Sequence, residues 1–312
     1  MISCGIFWGN KETPENSASN PIPTTSGFNQ DSHISGYGTD ASRVDSQITL
    51  AIPEGQADEV YRYLRDTYVD HSTLLKQAFP ELNLAGENKI DVSEFTDQYY
   101  DTADLDLYKT LNSSRYRFRI NTTDPEDAKS GRELVQIKVT PPGKFILRTE
   151  VKFKVKHHKS ARKDVPLYNV SSIITLVESE QLDDFEQAFK AVGINPYSLE
   201  HILTTVQKRS RVYLDLNDKN FLSFSVDEGY AGKLWARAKY SSVDIGLVEK
   251  VYTPASAPER KLMWGIREVV LQDLLRKFPG LTQTTASKYN IVLDQIKNQI
   301  PYFEFLLKYG PI

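Results

Sequence analysis

The chain has 312 residues, 40% of them apolar and 25% charged, and a formal net charge of −3. That balance is typical of a soluble globular protein with room for a sizeable core, and it excludes a surface that is basic throughout, so any polyanion site has to be local. No apolar run approaches the roughly 18 residues of a membrane span, and the single cysteine, Cys4, excludes an internal disulfide framework and a cysteine-rich zinc centre.

Residues 1–43 are rich in Ser, Asn, Thr, Gly and Pro and have almost no periodic apolar pattern. Such a stretch cannot bury enough surface to offset its chain entropy, so it reads as a disordered tail or tether. Its head, Met1-Ile2-Ser3-Cys4-Gly5, looks like the end of a bacterial lipoprotein signal, where the cysteine takes the lipid, but the charged and apolar regions that precede such a cysteine are absent. Two locations follow as expectations: cytoplasmic, or exported and lipid-anchored through Cys4 if the start is truncated. Contact with a membrane is expected only in the second case.

Residues 44–312 read as one domain of strands punctuated by helices. Residues 44–52 alternate apolar and polar, and a helix follows from about Gly55 to Ala78. Strands are expected near 94–101, 115–121, 133–140 and 146–155, the last two joined by a Pro-Gly turn in TPPGKF. The stretch from Ser179 to Gly193 reads as a helix capped by Ser179 and ended by Gly193. Strands resume at 204–216 and 221–227 around an Asn217-Asp218 turn, and one or two more lie between 233 and 252. Two helices close the chain, about 256–278 and 286–308, the second interrupted by Pro301.

Eight or nine long, hairpin-connected strands point to an α+β fold, mainly β, built on a closed eight-stranded antiparallel barrel covered by helices. Each strand carries one charged row and one apolar row. Arg115, Arg117 and Arg119 share a face opposite Tyr116, Phe118 and Ile120; Arg209, Arg211 and Tyr213 oppose Val212 and Leu214. Two arrangements satisfy this alternation. In one the apolar rows fill the interior and the charges face water. In the other the charged rows line a lumen, helices cover the apolar outside, and an anion neutralises like charges that are otherwise costly to bring together.

The order Tyr99-Tyr100-Asp101-Thr102, Arg115-Tyr116-Arg117-Phe118-Arg119, Val135-Gln136-Ile137-Lys138, Arg148-Thr149-Glu150, Arg209-Ser210-Arg211, Ser225-Val226-Asp227 and Glu249-Lys250-Val251 resembles the CYTH superfamily of triphosphate tunnel metalloenzymes. The resemblance covers roughly residues 44 to 293. It implies a tunnel that binds a triphosphate, with Arg117, Arg119, Lys138, Arg148, Arg209 and Arg211 on phosphate oxygens. It also implies Mg2+ or Mn2+ held by Asp45, Asp227 and Glu249, with Glu150 and Glu249 in catalytic roles. The family members include inorganic and thiamine triphosphatases, class IV adenylate cyclases and RNA triphosphatases.

Departures thin the metal side. Where the family opens with Glu-x-Glu-x-Lys, this chain has Asp45-Ser46-Gln47-Ile48-Thr49, and the family's Arg-x-Glu-x-Glu becomes Arg148, Glu150 and Lys152. The implied activity is metal-dependent hydrolysis of inorganic tripolyphosphate or of an organic or nucleoside triphosphate. The alternative is a polyphosphate- or nucleotide-binding module of the same fold without turnover. The expected partner is a small triphosphate or polyphosphate, not an extended nucleic acid. Glu150 has a second role open to it, as ion-pair partner of a neighbouring arginine. Asp101, Tyr100 and Tyr213 read as structural, and His157-His158 as part of a solvated basic loop.

Overall fold

The computed structural model describes residues 42–70, 73–80, 90–124, 126, 131–140, 147–156, 170, 172–216, 219–252 and 254–310. The N-terminal segment with Cys4, the turns expected at 141–146 and 217–218, and His157-His158 lie outside these residues. Among the described residues nine strands form: β1 (Ser42–Ala51), β2 (Ile90–Asp101), β3 (Ser113–Asn121), β4 (Arg132–Val139), β5 (Leu147–Phe153), β6 (Glu200–Leu216), β7 (Lys219–Lys233), β8 (Ala236–Leu247) and β9 (Thr282–Thr284). They make one antiparallel sheet in the order β5-β4-β3-β2-β6-β7-β8-β1-β9. β1 divides its length between two neighbours: Ser42–Ser46 lies opposite Leu147–Val151 of β5, and Gln47–Ala51 opposite Ser242–Gly246 of β8.

The chain is therefore mainly β with helices, as the alternation predicts, but with nine strands where eight were expected. The extra strand is three residues long, pairs with Thr49–Ala51 and carries too short an alternation to be read in advance.

The helices are α1 (Ala57–Leu64), which runs on as a π-helical turn over Arg65–Asp70, α2 (Thr73–Ala78), α3 (Asp106–Lys109), α4 (Leu182–Lys190), α5 (Glu249–Tyr252), α6 (Ala257–Lys277), α7 (Lys288–Gln299) and α8 (Phe303–Tyr309). The helix expected from Gly55 to Ala78 thus starts at Ala57 and changes to a π-helical turn at Arg65. Ser179 does not cap α4: Ser179–Gln181 form a 3-10 turn first, and α4 starts at Leu182. Ser256 and Glu259 form the reciprocal cap that starts α6. Pro301 separates α7 from α8, as its missing N–H requires.

The arrangement with charges inside is the one adopted. Tyr116, Phe118, Val135, Ile137, Val151 and Phe153 pack outward with Phe185, Ala188 and Phe189 of α4. Val212, Leu214, Leu222, Phe224, Val243 and Ile245 pack outward with Val60 and Leu64 of α1 and Ile266, Val270 and Leu274 of α6. The opposite face carries the charged rows. α7 does not lie outside with these helices: Val292, Leu293 and Ile296, joined by Phe303 of α8, pack with Leu203, Ala231, Ala236 and Ala238 on the polar face. Small residues there let a helix approach where long charged ones would hold it off. The start of α7 is thereby set beside the arginine rows.

Candidate functional site

One cavity of about 280 Å³ opens on the charged face and is lined from β1 and from β2 through β8. β3 contributes Arg115 and Arg117, β4 Lys138, β5 Glu150, and β6 Arg209, Arg211 and Tyr213. β7 and β8 contribute Ser223, Ser225, Ser242 and Asp244; Lys250 of α5 and Lys288 of α7 complete the wall. Arginines two residues apart on one strand reach the same cavity because a strand returns to the same face every second residue.

The guanidinium groups are pre-positioned. Arg117 makes a two-pronged pair with Asp97, Nε to Oδ1 at 2.6 Å and Nη2 to Oδ2 at 2.6 Å, and Arg115 Nη1 reaches Asp97 Oδ2 at 3.0 Å. Arg115 Nε also donates to Gln136 Oε1 at 2.7 Å. Arg209 grips Asp227 in the same two-pronged way, at 2.6 Å for each bond. The Phe95 ring lies under three of them, 4.3 Å from Arg117, 5.3 Å from Arg209 and 5.9 Å from Arg119, which fixes their planes through cation–π attraction. Among the described residues Arg211 meets two hydroxyls, Ser225 at 2.7 Å and Tyr213 at 3.0 Å, and no carboxylate.

Among the described residues seven cationic side chains line the cavity, against the carboxylates of Glu150 and Asp244 in its wall and of Asp97 and Asp227 just beneath. Burial and then the charges of Arg209, Arg117, Lys138 and Arg115 draw the Lys288 ammonium well below an ordinary lysine pKa. Tyr240 lies beside Lys288. Its ring is 5.9 Å from Lys288, its hydroxyl donates to Gln207, and its other side faces a second cavity lined by Glu54, Lys208, Glu228 and Lys239. Gly229 is needed beneath it, since a Cβ there would overlap the Tyr240 ring.

Of the residues singled out from the sequence, Arg117, Lys138, Glu150, Arg209, Arg211 and Asp227 come together here. Arg119 does not: its guanidinium turns to Asp91 at 2.9 Å and to Ser93 at 2.9 Å, outside the cavity wall. Asp45 and Arg148 face each other in the β1–β5 register. Glu249 opens the short helix α5, since β8 ends at Leu247; the side chains of these three lie outside the described residues. Tyr100 is a packing residue, buried with its hydroxyl on the Val170 carbonyl at 2.8 Å. Tyr213, expected to pack, instead lines the cavity.

Asp101 is structural. It accepts the backbone N–H groups of Thr102, Leu107 and Tyr108 and the Tyr289 hydroxyl, at 2.8–2.9 Å. These bonds hold α3 between Leu105 and Leu111, two non-glycine residues at φ +57° and +58°. Replacing Asp101 by alanine is expected to cost about 1–3 kcal/mol, because buried donors lose their acceptor. Anion binding in the cavity should persist at temperatures where the variant is folded. Chemical denaturation with and without tripolyphosphate checks both halves.

A divalent metal does not fit the described donors. The expected ligand Asp227 is fully buried and has both oxygens on Arg209, with Lys288 in contact at Oδ2. Asp244 accepts Thr49 Oγ1 at 2.7 Å and Lys288 at 3.3 Å. Glu150 is met by Gln136, by Lys138 at 3.6 Å and by Lys152 at 3.3 Å. Mg2+ and Mn2+ require oxygen ligands whose lone pairs face the ion, whereas these carboxylates face cations of the chain. Among the described residues no three His, Cys, Asp or Glu side chains gather as a ligand group.

Asp97, Phe95, Asp244 and Lys288 were not singled out from the sequence. Asp244 carried a signal: Ser225-Val226-Asp227 and Ser242-Val243-Asp244 repeat one pattern on the two paired strands. Asp97 alternates with Phe95 and Tyr99, the rhythm that exposed the arginines. Lys288 carried none, since it reaches the cavity from a helix remote in sequence.

No family model matches the chain, and no curated protein matches it. Among solved structures it is similar to HpAC1 from Hippeastrum, described as having a dominant triphosphatase activity, at 15% identity and a TM-score of 0.42 over 83% of this chain and 99% of that one. It is also similar to the PH1819 protein of Pyrococcus horikoshii, at 14% identity and a TM-score of 0.40 over 80% and 98% of the two chains. The capping-enzyme triphosphatase of Mimivirus follows at 8% identity and a TM-score of 0.32 over 73% and 88%. With TM-scores below 0.5 these likenesses are loose, and the function has to be read from the residues of the cavity.

Proposed function

We propose that this chain binds the triphosphate of a small molecule in the basic cavity and hydrolyses it, a reading that the resemblance of its strand motifs to the triphosphate tunnel family supports. In this reading the β1–β5 pairing closes the sheet around the site. The observation that carries the proposal is the convergence of cationic side chains from β3, β4, β6, α5 and α7 on one small cavity. Buried like charges destabilise one another unless an anion joins them, and a chain of phosphates offers that charge in linear form. The cavity has the scale of a small-molecule site, which favours a short polyphosphate over an extended nucleic acid.

Arg117, Lys138, Arg209 and Arg211 then hold non-bridging oxygens and offset the charge that develops as a phosphoryl group leaves. Glu150, in the wall beside Lys138, is the carboxylate placed to orient a water. A second reading, binding without turnover, is favoured by one observation: each described carboxylate in the cavity already faces a cation.

Tripolyphosphate at 100 times its Kd is expected to stabilise the native state by about 2.7 kcal/mol. The double variant Arg117→Ala with Arg211→Ala should lose that thermal shift; an unchanged shift would place the anion elsewhere. Phosphate release from tripolyphosphate, nucleoside triphosphates and thiamine triphosphate, each with Mg2+, with Mn2+ and with chelator, separates the readings. Release that Arg117→Ala abolishes supports the hydrolase. Stabilisation without release under every condition supports the binding module.

A further inference from the structure

We infer that the ammonium group of Lys288 takes the place of a divalent cation between Asp227 and Asp244, so that the cavity accepts its triphosphate free of metal and is opposed, not assisted, by magnesium. The triphosphate part rests on the anion reading above; the cation part rests on the carboxylate geometry alone. In the β7–β8 register Asp227 lies opposite Ser242 and Asp244 opposite Ser225, so the two carboxylates sit diagonally on one face. The first turn of α7 brings Lys288 between them: Nζ contacts Asp227 Oδ2 and lies 3.3 Å from Asp244 Oδ2. Arg209 closes the group from β6, bonded to both oxygens of Asp227 and 3.9 Å from Asp244 Oδ2.

Two carboxylates and two basic side chains meet in this cluster. Asp227 is 0% exposed and Asp244 6%, so Asp227 is closed to water and Asp244 opens only onto the cavity. A divalent ion entering here would meet an ammonium and a guanidinium at contact distance, with the oxygens it needs already engaged. Expelling Lys288 would leave a buried ammonium unpaired beside the arginines, which is costly. A triphosphate that carries magnesium has part of its charge cancelled and some of its oxygens occupied. It therefore gains less from Arg117, Arg209 and Arg211 than the free anion does.

The test is thermal denaturation of the full chain with tripolyphosphate in EDTA, with tripolyphosphate in excess Mg2+, and with Mn2+ alone. For the wild type the tripolyphosphate shift should be at least as large in EDTA as in Mg2+, and Mn2+ alone should give little. Lys288→Met, which removes the ammonium and keeps its volume, should acquire a saturable Mn2+ shift. Lys288→Gln serves the same purpose if the methionine variant does not fold. A wild-type shift abolished by EDTA would overturn the inference. So would an equal Mn2+ response in wild type and variants, or variants that fail to respond to Mn2+ at all. If tripolyphosphate produces no shift in any buffer, the anion reading fails, and the Mn2+ comparison still decides the cation inference.

Discussion

Asp97→Ala is expected to lower the stability of the free protein by about 3–5 kcal/mol, and tripolyphosphate is expected to restore part of the loss. Asp97 is fully buried and holds Arg115 and Arg117 together. Removing one partner of a buried ion pair leaves the other uncompensated, and here two guanidinium groups would be left so. The anion should therefore stabilise the variant more than the wild type, because it replaces the missing negative charge. Urea denaturation of both proteins with and without tripolyphosphate measures this; a loss under about 1 kcal/mol, or equal ligand shifts, would contradict the pairing.

The same residue sets an acid limit. Burial pushes the Asp97 carboxyl upward, but the charges of Arg115 and Arg117 more than cancel that and bring it down from 3.8 to about 2. A carboxylate with a depressed native pKa contributes stability that is fully present above its unfolded value and is lost as pH falls through the native one. Asp97 should thus contribute on the order of 2 kcal/mol at neutral pH, lost between about pH 4 and pH 2. In Asp97→Asn that segment of the stability profile should flatten.

Phe224→Ala is expected to cost about 3–5 kcal/mol, while Ser225→Ala next to it costs less than about 1 kcal/mol. Phe224 is fully buried on the outward face, its ring 5.6 Å from that of Tyr68, in the cluster under α1 and α6. Ser225 lies on the charged face, where it accepts from Arg211. The second variant should fold normally and alter anion affinity, because Arg211 loses a hydroxyl that positions it. Equilibrium denaturation and tripolyphosphate titration of the two variants check the contrast. A reversed order of stabilities would mean that the interior is apolar after all.

Strand alternation by itself determined that Arg115, Arg117 and Arg119 share a face, as do Arg209 and Arg211, because a period of two depends only on local backbone geometry. It also located most strands within a few residues and the start of α6 at Ser256. Which face turns inward was not a local property. It was decided by where α1, α4 and α6 could bury Phe224, Phe118 and Phe153, a matter of packing between segments far apart in the chain. Likewise the sequence placed an amide and a hydroxyl, Gln47 and Thr49, on the opening strand, but did not show that Arg119 would be diverted to Asp91 while Arg117 stayed in the cavity. Nor could it place Lys288, which lies 61 residues from Asp227 along the chain. Contact between them exists only because the small side chains Ala231, Ala236 and Ala238 let α7 settle on the charged face, and that proximity is a property of the assembled fold.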